Sequence, residues 1–591
     1  MTADSTPGGE GGAKTGTSPE AGDGHDLTRR HRALGMRAGL VSALTLISRI
    51  VGYAREAVTA ALFGSSSAIL DAFLTAWRVP NLFRRLFGEG AIATSFQTEF
   101  SEVEGEEGEA AGRAFFWSVF GMLSKILVLL TVVLVALVWL APNELPVPGL
   151  TEVWPLPRLA WLGPEPEAVR EITIRLLPFL IVICLTAVTS SALHVRGLFG
   201  ATAVAPVIFN VVWIGTLALL LRSFPDALQR TELSSQLDMA RFLTWGILLA
   251  AVVQGLSLLP SLLRSGLAGG GRPSPARARR SPRAVLVRAI PLAIGAAVYQ
   301  VNVMIDGMMA VSLLPEGGAG AHYFATRIQQ FPMAMVAFAA TTAVFPALKA
   351  FGQKGDLVGM SRLHSQTQRS VAYLALPATA GLLALAYPIV MVMFEYGSYG
   401  TEGIARIESA LLALSLAVVP VGATGLMVRC FYSLNDFRTP VMVSIAMMAL
   451  NLVLNLWFIL GLGLDADGLA LGTATTSWLA LALLWPLFRS RHRLPAGPPG
   501  MLRSLLTSAV GALACGLAAG LAYRALCGPL VSLLESMGLF DEIRTCRRAA
   551  QALAVLASVG LGVVAHFGVT LALASREAQA ILARLRRSGT R

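Results

Sequence analysis

Apolar runs of about 20 residues, the length a helix needs to cross a bilayer, recur along the whole of this 591-residue chain. They fall near 40–62, 71–100, 115–141, 170–195, 202–222, 241–264, 286–314, 321–348, 368–394, 404–432, 440–461, 467–488, 503–526 and 549–574. Inside hydrocarbon every backbone N–H and C=O must be satisfied within its own helix or a closed barrel. The runs therefore predict an all-α polytopic membrane protein of about 14 transmembrane helices. Only 14% of the residues are charged, against roughly 25% in soluble domains. The formal charge of +12 would suit nucleic acid, but the basic residues sit at the ends of apolar runs, where they set topology. No nucleic-acid partner is expected.

Lys and Arg in the connections orient the chain. With the N-terminus inside, the inner side collects Arg29, Arg30, Arg32 and Arg37, the stretch "GGGRPSPARARRSPR", Lys349, Lys354, Arg362 and Arg369. Arg489, Arg491, Arg493, Arg503 and the final "ARLRRSGTR" join them, whereas 63–70, 315–320 and 461–466 carry none. Arg222, Arg230, Arg544, Arg547 and Arg548 are the exceptions. Both termini are expected in the cytoplasm. Residues 1–37 are polar and Gly-rich, with no short apolar core near the start, which reads as an uncleaved disordered tail and not a signal peptide. The Gly, Pro and Arg of 268–284 make a flexible basic linker. It separates an N-terminal lobe (38–267, helices 1–6) from a C-terminal lobe (285–490, helices 7–12), followed by helices 13–14 (500–575) and a basic tail (576–591).

Two internal echoes support paired lobes. "TAWRVPNLFRRLFGEGAIATSF" sets Arg78 eighteen residues before Phe96, and "FATRIQQFPMAMVAFAATTAVF" sets Arg327 eighteen before Phe345. "LFGATAVAPVIFN" (198–210) is matched by "LNDFRTPVMVSIAMMALN" (434–451). Parallel repeats around a midplane site are a transporter design.

The first span, "LTLISRIVGYAREAVTAALFG", carries three charges. Each costs about 2.5–3.5 kcal/mol at a helix centre on the insertion scale. At 100° per residue, Thr45, Ser48, Arg49, Gly52, Arg55, Glu56 and Thr59 share one sector of about 120°. Arg49 and Glu56 are nearly aligned and could neutralise each other in part. In the second span Asp71, Arg78, Arg85 and Glu89 form one stripe, Arg84 lies on a separate face, and Arg85 and Glu89 are spaced for an i,i+4 contact. Arg327 adds a cation in the eighth span and Asp306 an anion in the seventh. Internal ion pairs would account for Arg78, Arg84, Arg85 and Glu89 as well as function would. For Arg49, Arg55 and Arg327 arginines outnumber acids, and a hydrated cavity avoids most of the burial cost. A cationic cavity takes an anion, and guanidinium forks suit phosphate.

"SRIVGYARE", "DAFLTAWRVPNLFRRLFGEGAIATSF", "YFATRIQQFP" and "RCFYSLNDFRTPV" resemble the MurJ (MviN) family of lipid II flippases, over residues 38–575 or so. The resemblance implies a member of the multidrug/oligosaccharidyl-lipid/polysaccharide exporter superfamily. It would have two six-helix lobes in a pseudo-symmetric V, with two further helices, in the bacterial inner membrane. It would carry undecaprenyl-diphosphate-linked peptidoglycan precursor (lipid II) from inner to outer leaflet for cell-wall synthesis. On the matching motifs the implied substrate-binding positions are Ser48, Arg49, Arg55, Glu56, Asp71, Arg84, Arg85, Glu89 and Arg327. The family often has Asp where Glu56 stands here. The resemblance also implies a monovalent cation in the C-terminal lobe, with Asp306 the candidate ligand, or coupling to membrane potential. Cell-wall synthesis enzymes are the implied protein partners.

The alternatives are export of another polyprenyl-linked oligosaccharide, or drug/cation antiport, whose cavity would favour acids and aromatics over arginines. An enzyme acting on polyprenyl phosphates would need a carboxylate cluster or a large soluble loop, which this chain lacks. There is no GxxxxGK[ST] for ATP. The five cysteines have no metal-ligand spacing, and Cys527 and Cys546, flanking the last outward connection, leave a disulfide open.

Overall fold

The computed structural model describes residues 23–65, 67–85, 91–146, 158–159, 162–224, 232–269, 281–334, 344–395, 399–495, 497, 499–537 and 543–589. Apart from a two-residue antiparallel pairing of Leu145–Pro146 with Arg158–Leu159, the regular structure among these residues is helical. In chain order the helices are α1 (Asp23–Phe63), α2 (Ala68–Phe83), α3 (Ala91–Glu107), α4 (Glu109–Leu140), α5 (Pro166–Leu176), α6 (Phe179–Val195), α7 (Phe199–Ser223), α8 (Leu233–Leu256), α9 (Leu259–Arg264) and α10 (Arg283–Leu313). There follow α11 (Gly318–Met333), α12 (Phe345–Lys354), α13 (Leu357–Phe394), α14 (Thr401–Ser415), α15 (Val418–Ser433), α16 (Arg438–Leu456), α17 (Ala466–His492), α18 (Met501–Ser536), α19 (Ile543–Ala572) and α20 (Arg576–Gly589).

Among the described residues nine segments are long and apolar enough to span a membrane: α4, α5–α6, α7, α8–α9, α13, α16 with its π-helical end, α17, α18 and α19. The pair α14–α15, bent by 43°, makes a tenth if taken as one span. The charge-bearing α1, α2, α10 and α11 are not among them. The first helix starts at Asp23, so residues 23–37, expected in an irregular tail, continue α1; their Leu, Arg and Ala are good helix formers. The C-terminal basic tail is helical over Arg576–Gly589.

The helices pack in two groups. In the first, α1 lies on α7, α7 on α8, α2 on α5, and α3 on α4 and α6. In the second, α11 lies on α14, α14 on α17, and α13 on α14 and α15, while α18 and α19 pair with each other against α13. The groups meet where α2 touches α10 and α11, and α3 touches α10. Aromatic side chains fill the first core: Trp77 stacks edge-on against Trp213 (5.3 Å between centroids) and tilts onto Phe179 (5.0 Å). Outward faces are apolar, as lipid contact requires: Leu129 of α4, Leu517 of α18 and Leu556 of α19 are each more than 60% exposed. All five cysteines, Cys527 and Cys546 included, are free thiols.

The repeats seen in the sequence occupy matching elements. Both α2 and α11 run for 16 residues with a proline near the end, Pro80 and Pro332. Close packing leaves little tolerance. A Cβ on Gly246 of α8 would lie 2.5 Å from Thr216 Oγ1 and 2.7 Å from Thr216 Cβ on α7. Gly246→Ala is expected to cost about 1–3 kcal/mol, read as a lower unfolding temperature in detergent.

Candidate functional site: an arginine chamber between two helix groups

Helix α1 turns Arg55 and Glu56 inward. Arg55 Nη1 donates to Asn210 Oδ1 of α7 (3.0 Å), Arg55 Nη2 donates to Glu56 Oε1 (2.9 Å), and the guanidinium lies 4.3 Å from the centre of the Trp213 ring. Asn210 in turn donates to the Ser48 carbonyl (3.0 Å), which fixes its amide. Arg327 reaches the same carboxylate from α11, with Nε 3.3 Å from Glu56 Oε1. Its Nη2 donates to Tyr323 Oη (2.9 Å) and its carbonyl accepts from Tyr53 Oη (2.9 Å). One buried carboxylate thus stands between two guanidiniums from different helix groups. That leaves a net positive charge in a region where charge is costly unless paired. Arg55 Nε and Trp213 Nε1, both buried, are donors without an acceptor among the described residues.

A cavity opens beside this cluster, lined among others by Arg78, Asn81, Arg85, Gln300, Tyr323 and Arg327, with no acid among the described residues of its lining. Arg85 therefore shares the chamber with Arg78, while Arg84 donates back to Asn81 Oδ1 of its own helix (2.9 Å), as the separate helical face predicts. Glu89 lies outside the described residues. Arg49 departs from expectation. It is exposed and makes no hydrogen bond or ion pair among the described residues, and Glu56 pairs with Arg55 and Arg327 instead. Seven residues of helix rise about 10.5 Å, too far for Arg49 and Glu56 to touch.

Asp71 has a different use. It is 4% exposed, and its Oδ2 and Oδ1 accept from the backbone N–H of Gly317 (2.8 Å) and Gly320 (2.7 Å) at the start of α11. At the opposite end, Arg288 of α10 pairs with the buried Glu99 of α3 (2.7 Å) and with Glu102 (3.4 Å). The two helix groups are tied at both ends, with the chamber between.

Asp306 of α10 accepts from Asn302 Nδ2 (3.2 Å) and Asn455 Nδ2 (2.9 Å). With its amide suitably turned, Asn451 donates to Asp306 Oδ1 (2.8 Å) and accepts from Thr473 N–H (3.2 Å). Asn455 Oδ1 is buried beside this carboxylate without a hydrogen-bond partner among the described residues, and the Thr473 hydroxyl lies within reach of the carboxylate. A Cβ on Gly472 would overlap Asn455 Oδ1, so the glycine keeps that oxygen in place. One carboxylate with neutral side-chain oxygens beside it fits a hard cation.

Asn210, Trp213, Tyr53, Tyr323 and Gln330 were not singled out by sequence. Asn210 had a signal: it closes one internal echo and Asn451 closes the other, and each serves the charged residue of its own group.

Two helix groups, lipid-facing outside and arginine-lined between, define a membrane transporter. Solved structures share the fold. The chain superposes on one titled "Lipid II flippase MurJ, inward closed conformation" with a TM-score of 0.64 at 19% identity, covering 92% of this chain and 99% of that one. An inward-facing multidrug resistance MATE family transporter of the MOP superfamily gives 0.59 at 14% identity, covering 77% and 98%. The chain belongs to the MurJ family: the family described as "Lipid II flippase MurJ" matches residues 59–536. A Rhizobium meliloti (strain 1021) protein named "Probable lipid II flippase MurJ" is 30% identical over 451 residues, 75% of this chain and 78% of that one.

Proposed function

We propose that this chain flips lipid II from the inner to the outer leaflet of the cytoplasmic membrane, supplying cell-wall synthesis, without altering its cargo chemically. Family membership supports the activity. The observation that carries the mechanism is Glu56 shared by Arg55 and Arg327 from opposing helix groups. A diphosphate is the larger and more highly charged anion, and planar forks bind it bidentately. Cargo entering between the groups takes over Arg55 and Arg327, with Arg78 and Arg85 lining the space beyond. The prenyl tail stays in lipid. Closure and opening then alternate between the ends tied by Asp71 and by Arg288.

The assignment that accompanies this reading is fourteen crossings in two six-helix lobes (38–267 and 285–490) forming a V, joined by 268–284, with 500–575 as the added pair and both termini cytoplasmic. Asp71 and the start of α11 then face the outside, and Glu99, Glu102 and Arg288 the cytoplasm. We assign a monovalent cation to Asp306, Asn455 and Thr473, where it would supply a positive charge that biases one lobe arrangement. Membrane potential, worth about 2.3 kcal/mol per charge per 100 mV, is a second source of bias. Contact with cell-wall synthesis enzymes follows from the function.

Translocation of lipid II into vesicles tests the clamp. Arg55→Ala and Arg327→Ala are each expected to slow it by at least about tenfold, the smallest loss for a charge-assisted hydrogen bond of about 1.5–3 kcal/mol. Undiminished transport by folded variants would overturn it.

A further inference from the structure

Arg78 has no carboxylate in ion-pair contact among the described residues; its guanidinium crosses from α2 to donate to the Gly307 carbonyl of α10. It lies flat against that residue. A methyl on Gly307 would overlap it, with Cζ at 2.5 Å and Nε at 2.6 Å. Only glycine leaves room for a planar fork there. Gly307 directly follows Asp306, and the Arg78 charge attracts that carboxylate.

This contact has a counterpart. Arg327, on the repeat of α2, reaches across to Glu56 of α1. Arg78 and Arg327 are 249 residues apart, and Glu56 and Asp306 are 250 apart. Each helix group therefore extends one arginine to the carboxylate-bearing helix of the other. The two contacts are not equal: Glu56 is in direct ion-pair contact with its arginine, whereas Asp306 is surrounded by amides, with the unpartnered Asn455 Oδ1 beside it.

We propose that Arg78 docked on Gly307 and a cation held at Asp306 oppose one another, so that cation binding loosens the seam between α2 and α10. The proposal rests on the cation assignment above. Two positive charges drawn to one buried carboxylate weaken each other's hold. By linkage the effect is reciprocal: whatever factor docking takes from cation affinity, the cation takes from docking. The seam lies in the half of the bundle that Asp71 closes, since α2 runs from residue 68 through Asp71 to Arg78. Loosening it favours opening at that end. Arg78 and Gly307 are in this sense positioning residues, which pass the state of the Asp306 site to the lobe interface.

Sodium binding to the purified full chain in lipid nanodiscs, measured with radioactive sodium at constant ionic strength, tests this without reference to transport. Arg78→Met is expected to tighten sodium binding by at least about fivefold, the lower end of ordinary coupling factors. Gly307→Ala, which evicts the guanidinium while keeping its charge in the chain, is expected to do the same and carries the test if Arg78→Met does not fold. Arg78→Lys, which keeps a charge at the seam, should stay closer to the parent than either, and Asp306→Asn should bind no sodium. If Asp306→Asn abolishes binding but Arg78→Met and Gly307→Ala match the parent, the opposition is overturned and the cation site stands. If no folded variant binds sodium, nor the parent, the cation assignment falls and the proposal with it.

Discussion

Glu56→Gln is expected to destabilise the folded protein by about 3–5 kcal/mol, the usual result of removing one member of a buried ion pair, and to stop lipid II transport. The glutamine keeps the shape of the side chain and one acceptor oxygen. What disappears is the negative charge between Arg55 Nη2 at 2.9 Å and Arg327 Nε at 3.3 Å. Two guanidiniums then face each other in a site that is 9% exposed at Glu56, with only a neutral amide between them. The loss is therefore electrostatic repulsion and uncompensated burial, far more than the 0.5–1.5 kcal/mol of an ordinary hydrogen bond. It also cuts a tie between α1 and α11, which belong to different helix groups, so the closed arrangement loses population. Thermal unfolding in detergent, run beside vesicle transport, measures both. Adding Arg55→Ala to Glu56→Gln should restore part of the stability, because it removes one of the stranded charges. Such non-additivity marks residues acting through one network. Full additivity, or wild-type stability of Glu56→Gln alone, would show that the carboxylate is not what holds the two arginines together. Glu56→Asp, which keeps the charge on a shorter stem, should fall between the two.

The first helix shows how far sequence can be read here. Its projection brought Ser48, Arg55 and Glu56 to one polar face, and the structure uses that face: Asn210 spans the Ser48 carbonyl and the Arg55 guanidinium. Arg49 belongs to the same face but lies where α1 is largely exposed, around residues 43–50. Helical periodicity gives a direction around the axis and carries no information about where the helix leaves its bundle. The partner of Glu56 was equally out of reach. Arg327 stands 271 positions away, and only the packing of α11 beside α1 brings them together. Charge surplus, repeat spacing and the all-helical membrane class are properties of composition and pattern, so they were legible. Trp213 under Arg55 is a tertiary contact between two helices and left no trace in the pattern, whereas Tyr323 beside Arg327 is an i,i+4 pair within α11, a spacing that sequence does carry.

The second large effect is expected at Asp71, where Asn should open the end of the bundle that bears Gly64, Ser65 and Ser67. Gly317, in the left-handed region at φ +83°, stands immediately before helix α11 at its N-cap and offers no side-chain cap. The glycine is required: a Cβ there would overlap the Ser65 carbonyl. Asp71 of α2 supplies the missing cap, one oxygen to each of the Gly317 and Gly320 N–H groups, and places a negative charge at the positive end of the helix dipole. A partly buried charge in that position is worth up to about 2 kcal/mol, so its loss shifts the closed-to-open ratio by roughly 30-fold. Ser65 sits half-buried against Gly317 and Gly403, and Ser65→Cys makes it a reporter of that ratio. In the Asp71→Asn background a membrane-impermeant thiol reagent applied from outside should label Cys at this position faster by about the same factor, with lipid II transport reduced. Labelling at the parent rate would dissociate Asp71 from closure. Because Asp71 hydrogen-bonds to the backbone of α11 and not to a guanidinium, lost transport with faster labelling assigns it to the gate. Lost transport with unchanged labelling would return it to the cargo clamp.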